Sequence, residues 1–206
     1  MSAQTVPGML FDPPAISSPA PAQPGQLRGT ISAPQFTVAE KFDYRVVQSF
    51  GLRNLVGAAM GAAIGQGLDT PGEWGQGLGG FAHRYASGFS GTFSRQAFAF
   101  ALETALREDP RYFPLSRGKG FKRRTLNALK QSVWTKNDHG SSGFAYARVA
   151  SEFGAAEFTN LWQPASTGKQ SNAMIRALIG LGADAGYNFI QEFLPFARRH
   201  SLRHRH

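Results

Sequence analysis

The chain has 206 residues, enough for one domain with a sizeable core and a tail. Charged residues make up 17% and hydrophobic residues 42%, with 24 glycines and 17 phenylalanines, a bias toward aromatic bulk packed on small residues. The net charge is +9, mostly carried after residue 100, and the lack of cysteine excludes disulfides, zinc–cysteine sites and thiol nucleophiles.

Residues 1–36 hold seven of the 12 prolines, among alanine, serine, glycine and glutamine. Proline donates to neither helix nor ladder, so this stretch reads as a disordered Pro/Ala/Ser-rich arm. It has no basic n-region and no apolar h-region of a signal peptide. A start lying upstream would give the same appearance. Order is expected from Thr37, where Thr37-Val38-Ala39-Glu40 reads as a capping box. Phe42, Val46, Phe50, Leu55 and Val56 follow at helical spacing, so the first helix is expected to reach about Leu68.

Thr70-Pro71-Gly72-Glu73 reads as a second capping box with proline at the first helical position. The second helix is expected from Pro71 toward Arg107, with a break among Gly75, Gly77, Gly79 and Gly80. The short connection makes the first two helices an antiparallel hairpin. Gly57, Gly61 and Gly65 lie four residues apart, as do Ala82, Ala86, Ser90 and Ser94. Glycine inside a helix costs roughly 1 kcal/mol relative to alanine. Three at one spacing therefore imply a groove that receives another helix backbone, as in the small-xxx-small pattern of membrane helix pairs.

The third helix is expected over Lys119 to Lys136, with Leu126, Leu129 and Val133 on one face. The fourth covers Phe144 to Leu161. The fifth covers Asn172 to Arg198, with a bend at Pro195. The fold expected is all-α: a disordered arm, a glycine- and alanine-rich bundle of about five helices over residues 37–198, and a basic Arg/His tail at 199–206. Mean hydropathy of -0.27 argues against a polytopic membrane protein. Trp74, Trp134 and Trp162 fall near helix ends, where an indole suits either a membrane interface or the rim of a soluble core.

Asp184 stands in an apolar stretch and needs a partner if buried. Arg95, the most isolated cation of an apolar helix, is the expected partner. Glu103 and Arg107 are spaced for a surface pair. Arg95, Asp184 and Glu103 are the buried polar candidates. Arg117, Lys119, Lys122, Arg123 and Arg124 form the densest basic run and are the anion-binding candidates, though they lack the spacing of a phosphate-binding loop. Gly88-Phe89-Ser90-Gly91 is not a nucleophile elbow, and His83 and His139 have no recognisable companions. The sequence offers no catalytic, cofactor or metal motif.

Arg107-Glu108-Asp109-Pro110-Arg111-Tyr112-Phe113, Thr159-Asn160-Leu161-Trp162-Gln163-Pro164 and Asn188-Phe189-Ile190-Gln191-Glu192-Phe193 resemble a bacterial family of envelope-type proteins, many with an export signal. The resemblance implies a shared fold and an envelope setting, and carries no activity. The expected function is a non-enzymatic helical protein of the cell envelope, working against a membrane surface, anionic lipid, a protein partner or another copy. If the chain starts where it is written, the compartment expected is cytoplasmic. A lipid- or small-molecule-binding domain with a polar site between helices is the alternative. Nucleic-acid binding through the basic second half ranks last, because few aromatics interleave its basic residues.

Overall fold

The computed structural model describes residues 35–116 and 118–194, all within the compact unit Pro34–His206. The expected arm (apart from Gln35 and Phe36), Arg117, the bend at Pro195 and the basic tail lie outside the described residues. The fold is an all-α bundle: α1 (Val38–Phe50), α2 (Leu52–Gly67), α3 (Gly77–Leu106), α4 (Phe121–Val133), α5 (Tyr146–Thr159) and α6 (Gln170–Phe193). A short 3-10 turn at Gly72–Trp74 precedes α3, and an antiparallel ribbon, β1 (Trp134–Lys136) and β2 (Ser142–Phe144), joins α4 to α5. The long α3 is central and packs against α1, α2 and α5, while α6 packs against α4 and α5.

Local chemistry explains most element ends. The Thr37 capping box forms: Glu40 N donates to Thr37 Oγ1 at 3.2 Å, and Thr37 N donates to Glu40 Oε2 at 2.8 Å. The first expected helix is two helices, because Gly51 is extended (φ -70°, ψ 158°) and Asn54 Nδ2 caps Ser49 O at 2.6 Å. The second capping box does not form. Thr70 Oγ1 donates to Leu68 O, and Glu73 instead accepts from Ser166 Oγ at 2.7 Å. Gly75 and Gly77 adopt positive φ, so α3 starts at Gly77 and not at Pro71. The third expected helix ends three residues early, where the ribbon begins with Trp134 opposite Phe144. Asn137 Oδ1 accepts from the His139 and Ser141 amides across its turn.

Arg84 ties the α2–α3 turn together. It donates to the carbonyls of Thr70 (3.0 Å), Gly75 (2.7 Å) and Pro71 (2.9 Å) and to Gln66 Oε1 (2.7 Å). Gly80 lies beneath this clasp: a Cβ there would collide with the Gly75 carbonyl oxygen and sit 2.7 Å from Arg84 Nη1. Gly80→Ala is expected to cost about 1–3 kcal/mol, measured by chemical denaturation, because backbone must move to admit the methyl. An unchanged midpoint would show that the turn yields freely.

The interior is polar and the exterior apolar. No leucine, isoleucine, valine, methionine or aromatic residue among the described residues is buried; apart from Pro71 and Pro110, the buried aliphatic side chains are alanines, such as Ala62, Ala99 and Ala177. Lys41, Arg45, Arg84, Glu103, Glu152 and Glu192 are buried in their place. Leu52, Leu68, Leu78 and Leu161 are 74%, 70%, 89% and 76% exposed. On α1, the expected apolar face of Phe42, Val46 and Phe50 points outward, while Lys41, Arg45 and Ser49, one residue earlier, point inward. On α4, Leu126, Leu129 and Val133 are likewise exposed, with Ala128 and Ser132 inside.

The glycine groove is overturned by the same rotation. Gly57 and Gly61 have nothing near a would-be Cβ and face outward, and only Gly65 is close to a neighbour, at the Thr70 carbonyl and Arg84. The packing face of α2 is Asn54, Ala58 and Ala62, with Ala58 against Gly88 of α3. Ala82, Ala86 and Ser90 are exposed. The hairpin of α2 and α3 exists, but alanine rather than the glycine row makes its contact.

Candidate functional site

The charged interior is organised by α1, α2, α3, α5 and α6 around a cavity of about 40 Å³. Four arginines from four helices line it: Arg45, Arg53, Arg95 and Arg148, with Asp184 as the single lining carboxylate. Helical spacing delivers them. Arg45 shares the inward row of α1 with Lys41 and Ser49, and Asp184 lies four residues before Asn188 on the inner side of α6.

Asp184 bridges two of the arginines. Arg53 Nη2 donates to its Oδ1 at 3.0 Å and Arg95 Nη1 to its Oδ2 at 3.2 Å. The Arg95–Asp184 pair expected from the sequence is therefore in place, with Arg53 as an additional partner. Burial opposes both charges, but the two arginines outweigh it and hold the Asp184 carboxyl below the usual carboxylate range. Burial also opposes the charge on Arg95, and the carboxylates of Asp184 and Glu152 overcome it and hold its pKa up. Arg53 additionally stacks on Tyr187, with its guanidinium carbon 3.8 Å from the ring centre.

Glu152 of α5 is a member the sequence did not suggest. Its Oε1 lies 3.0 Å from Arg95 Nη1, but the angle is wrong for a hydrogen bond, so that buried oxygen lacks a donor. The contact is ionic only. Its other oxygen fills the space left by Gly180 of α6, where a Cβ would collide with it. Desolvation raises its pKa to about 7, aided by the nearby Asp184 charge and only partly offset by Arg95.

Glu103 does not pair with Arg107 on the surface. Arg107 caps α3 in a left-handed conformation, and Glu103 is buried against Arg45. Arg45 Nε donates to Glu103 Oε2 at 2.9 Å, Nη2 pairs with Oε1, and Nη1 donates to Gln96 Oε1 at 2.7 Å. This is a bidentate fork of the strongest kind. Beside it, Lys41 donates to the Glu103 carbonyl at 3.2 Å and to Asp138 at 2.9 Å.

The basic run divides. Lys119, Lys122 and Arg123 are exposed, Arg117 lies outside the described residues, and Arg124 is committed inward. Arg124 Nε donates to Glu192 Oε1 at 2.9 Å, and its Nη2 donates to the Glu192 carbonyl. Glu192 also accepts from Tyr112 at 2.5 Å and from the Leu115 amide at 3.2 Å. Burial disfavours this carboxylate, but the donors prevail and its pKa is lowered. Glu108 reaches across space to accept from the Ala147 amide, supplying the cap that α5 lacks from its own Ala145. Sequence spacing reveals neither contact, since each joins residues at least 39 apart.

No protein-family model, curated protein or solved structure matches this chain.

Proposed function

We propose that this chain is a non-enzymatic, membrane-associated helical protein of the cell envelope whose apolar outer surface is covered by lipid. The observation that carries this reading is the outward placement of the large apolar side chains. Water penalises such an arrangement by roughly 25 cal/mol for each Å² of apolar surface left exposed. A lipid environment removes that penalty and leaves polar pairing and small-residue contact to hold helices together.

The distribution of charge adds support. Every Asp, Glu, Lys and Arg of α2, α3 and α6 reaches a polar partner within the bundle, from Arg53 and Arg84 to Asp184 and Glu192. The outer surfaces of α3 and α6, about 45 and about 36 Å long at 1.5 Å per residue, therefore carry no Asp, Glu, Lys or Arg. Exposed lysines and arginines collect elsewhere, at Lys119, Lys122, Arg123 and Lys130 around α4. Among the described residues no helix is long and apolar enough to cross a membrane. Inward-facing arginines and carboxylates lower the average of each helix while leaving its outer face apolar. The resemblance of residues 107–113, 159–164 and 188–193 to envelope-type proteins suggests the compartment.

Flotation with phosphatidylcholine vesicles in about 1 M salt tests the reading, because surface charge is screened within about 3 Å there. The chain is expected to rise with the vesicles. A detergent-free, monodisperse monomer that stays at the bottom would overturn it. A discrete aqueous oligomer would do so too, by assigning the apolar surface to other copies.

A further inference from the structure

We propose that the arginine-lined cavity is a binding site for a phosphate-type oxyanion, held by Arg148 and Arg53 with Arg95 behind them. The site is assembled from five helices and is distinct from the outer surface on which the lipid reading rests. Its volume of about 40 Å³ holds about three waters or one small oxyanion, since a water needs roughly 10–15 Å³ by this measure.

On the cavity walls the charges do not balance, with four guanidiniums against the one carboxylate of Asp184. Arg45 is matched by Glu103, and Arg53 and Arg95 share Asp184, with Glu152 behind Arg95. Arg148 donates to the Gln131 carbonyl and makes no close ion pair among the described residues; the carboxylates of Asp184 and Glu108 reach it only as longer-range charges. It lines the same cavity as Arg53 and Asp184, so a guanidinium with no close carboxylate partner faces a partly open polar space. Burying such a cation is costly unless an anion joins it. Guanidinium forks match oxyanions in geometry and remain charged at any physiological pH. Tyr44 and Gln48 on the walls carry hydroxyl and amide donors without adding negative charge. Arg53, 35% exposed, gives the site its contact with the outside.

The phosphate can be inorganic or belong to a phospholipid headgroup, and the two sources are separable. Inorganic phosphate is titrated calorimetrically into the full chain in neutral detergent, which makes the measurement independent of vesicle binding. Vesicles of phosphatidylcholine with and without phosphatidic acid form the second arm. Saturable binding of phosphate, lowered about tenfold or more by Arg148→Gln and by Arg53→Gln, is the expected result. Phosphatidic acid binding that both variants weaken, and that free phosphate displaces, assigns the same site to a headgroup. Helical circular dichroism checks that each variant is folded, and Arg53→Gln carries the test if Arg148→Gln is not. No saturable binding in either arm overturns the proposal. Binding insensitive to these variants but lost in Lys122→Gln/Arg123→Gln overturns it as well, by moving the anion to the exposed basic face.

Discussion

Glu103→Ala is expected to destabilise the fold by about 3–5 kcal/mol, the largest effect of any single substitution considered. Arg45 and Glu103 are both buried and joined through two nitrogens and two oxygens. Truncating the glutamate leaves a guanidinium in the interior with only Gln96 Oε1 as acceptor at 2.7 Å. The cost is that of an unpaired buried charge, and it exceeds the net value of the pair itself. The double variant Arg45→Met/Glu103→Leu is accordingly expected to lie close to wild type. Denaturant unfolding followed by helical circular dichroism, with the protein kept in one detergent throughout, measures the cycle. A Glu103→Ala loss below about 1 kcal/mol would mean that Arg45 finds water or another acceptor, and that the interior is wetter than its burial implies.

Glu152 gives the second large effect, visible as a pH dependence. Its folded pKa of about 7 lies above the ordinary value of 4.5, because burial disfavours its charge. The folded chain therefore holds this proton more tightly than the unfolded chain. Its contribution is most favourable below pH 4.5 and is lost as pH rises toward 7. Above pH 7 the folded state carries a buried, half-satisfied carboxylate. A gap of this size corresponds to a penalty on the order of 3 kcal/mol. Glu152→Gln keeps the shape and removes the ionisation, so Arg95 remains paired with Asp184. The variant is expected to unfold at higher denaturant than wild type at pH 8, to differ little near pH 4.5, and to show a flatter profile between. An equal pH slope in both proteins would remove Glu152 as its source.

Opposing groups contribute differently to that profile. Asp184 and Glu192 are held below their ordinary values by Arg95 with Arg53, and by Tyr112 with Arg124, against the pull of burial. Their stabilisation is present at neutral pH and fades in acid as they protonate. Stability should thus pass through a maximum on the acid side of neutrality, between the loss of these two pairs and the ionisation of Glu152.

The usual rule places the apolar row of a helix in the core. Here it selected Phe42/Val46/Phe50 and Leu126/Leu129/Val133, all of which face outward, while the polar rows beside them are inside. A one-residue error of phase is a 100° rotation, enough to exchange faces. The glycine row failed in the same way: α2 is small or apolar on nearly every side, so its sequence contains little that distinguishes Gly57 and Gly61 from Ala58 and Ala62. The Arg95–Asp184 pair was legible for the opposite reason. An isolated charge in an apolar helix has few ways to be satisfied, and each residue was the conspicuous exception in its own segment.

The sequence by itself determined the helical class, the capped start at Thr37, the hairpin of α2 and α3 and one ion pair of the interior, because each follows from spacing of a few residues or from a charge that demands a partner. Only the tertiary structure decided which helical faces meet, that Glu103 belongs to Arg45, that Glu152 sits against Gly180 beside Arg95, and that four arginines converge on one cavity. The pairings of Glu103 with Arg45, of Glu152 with Gly180 and of Glu152 with Arg95 join residues 58, 28 and 57 positions apart, and no local pattern encodes them. Whether a face is inner or outer depends on the surrounding medium as much as on the side chains it bears.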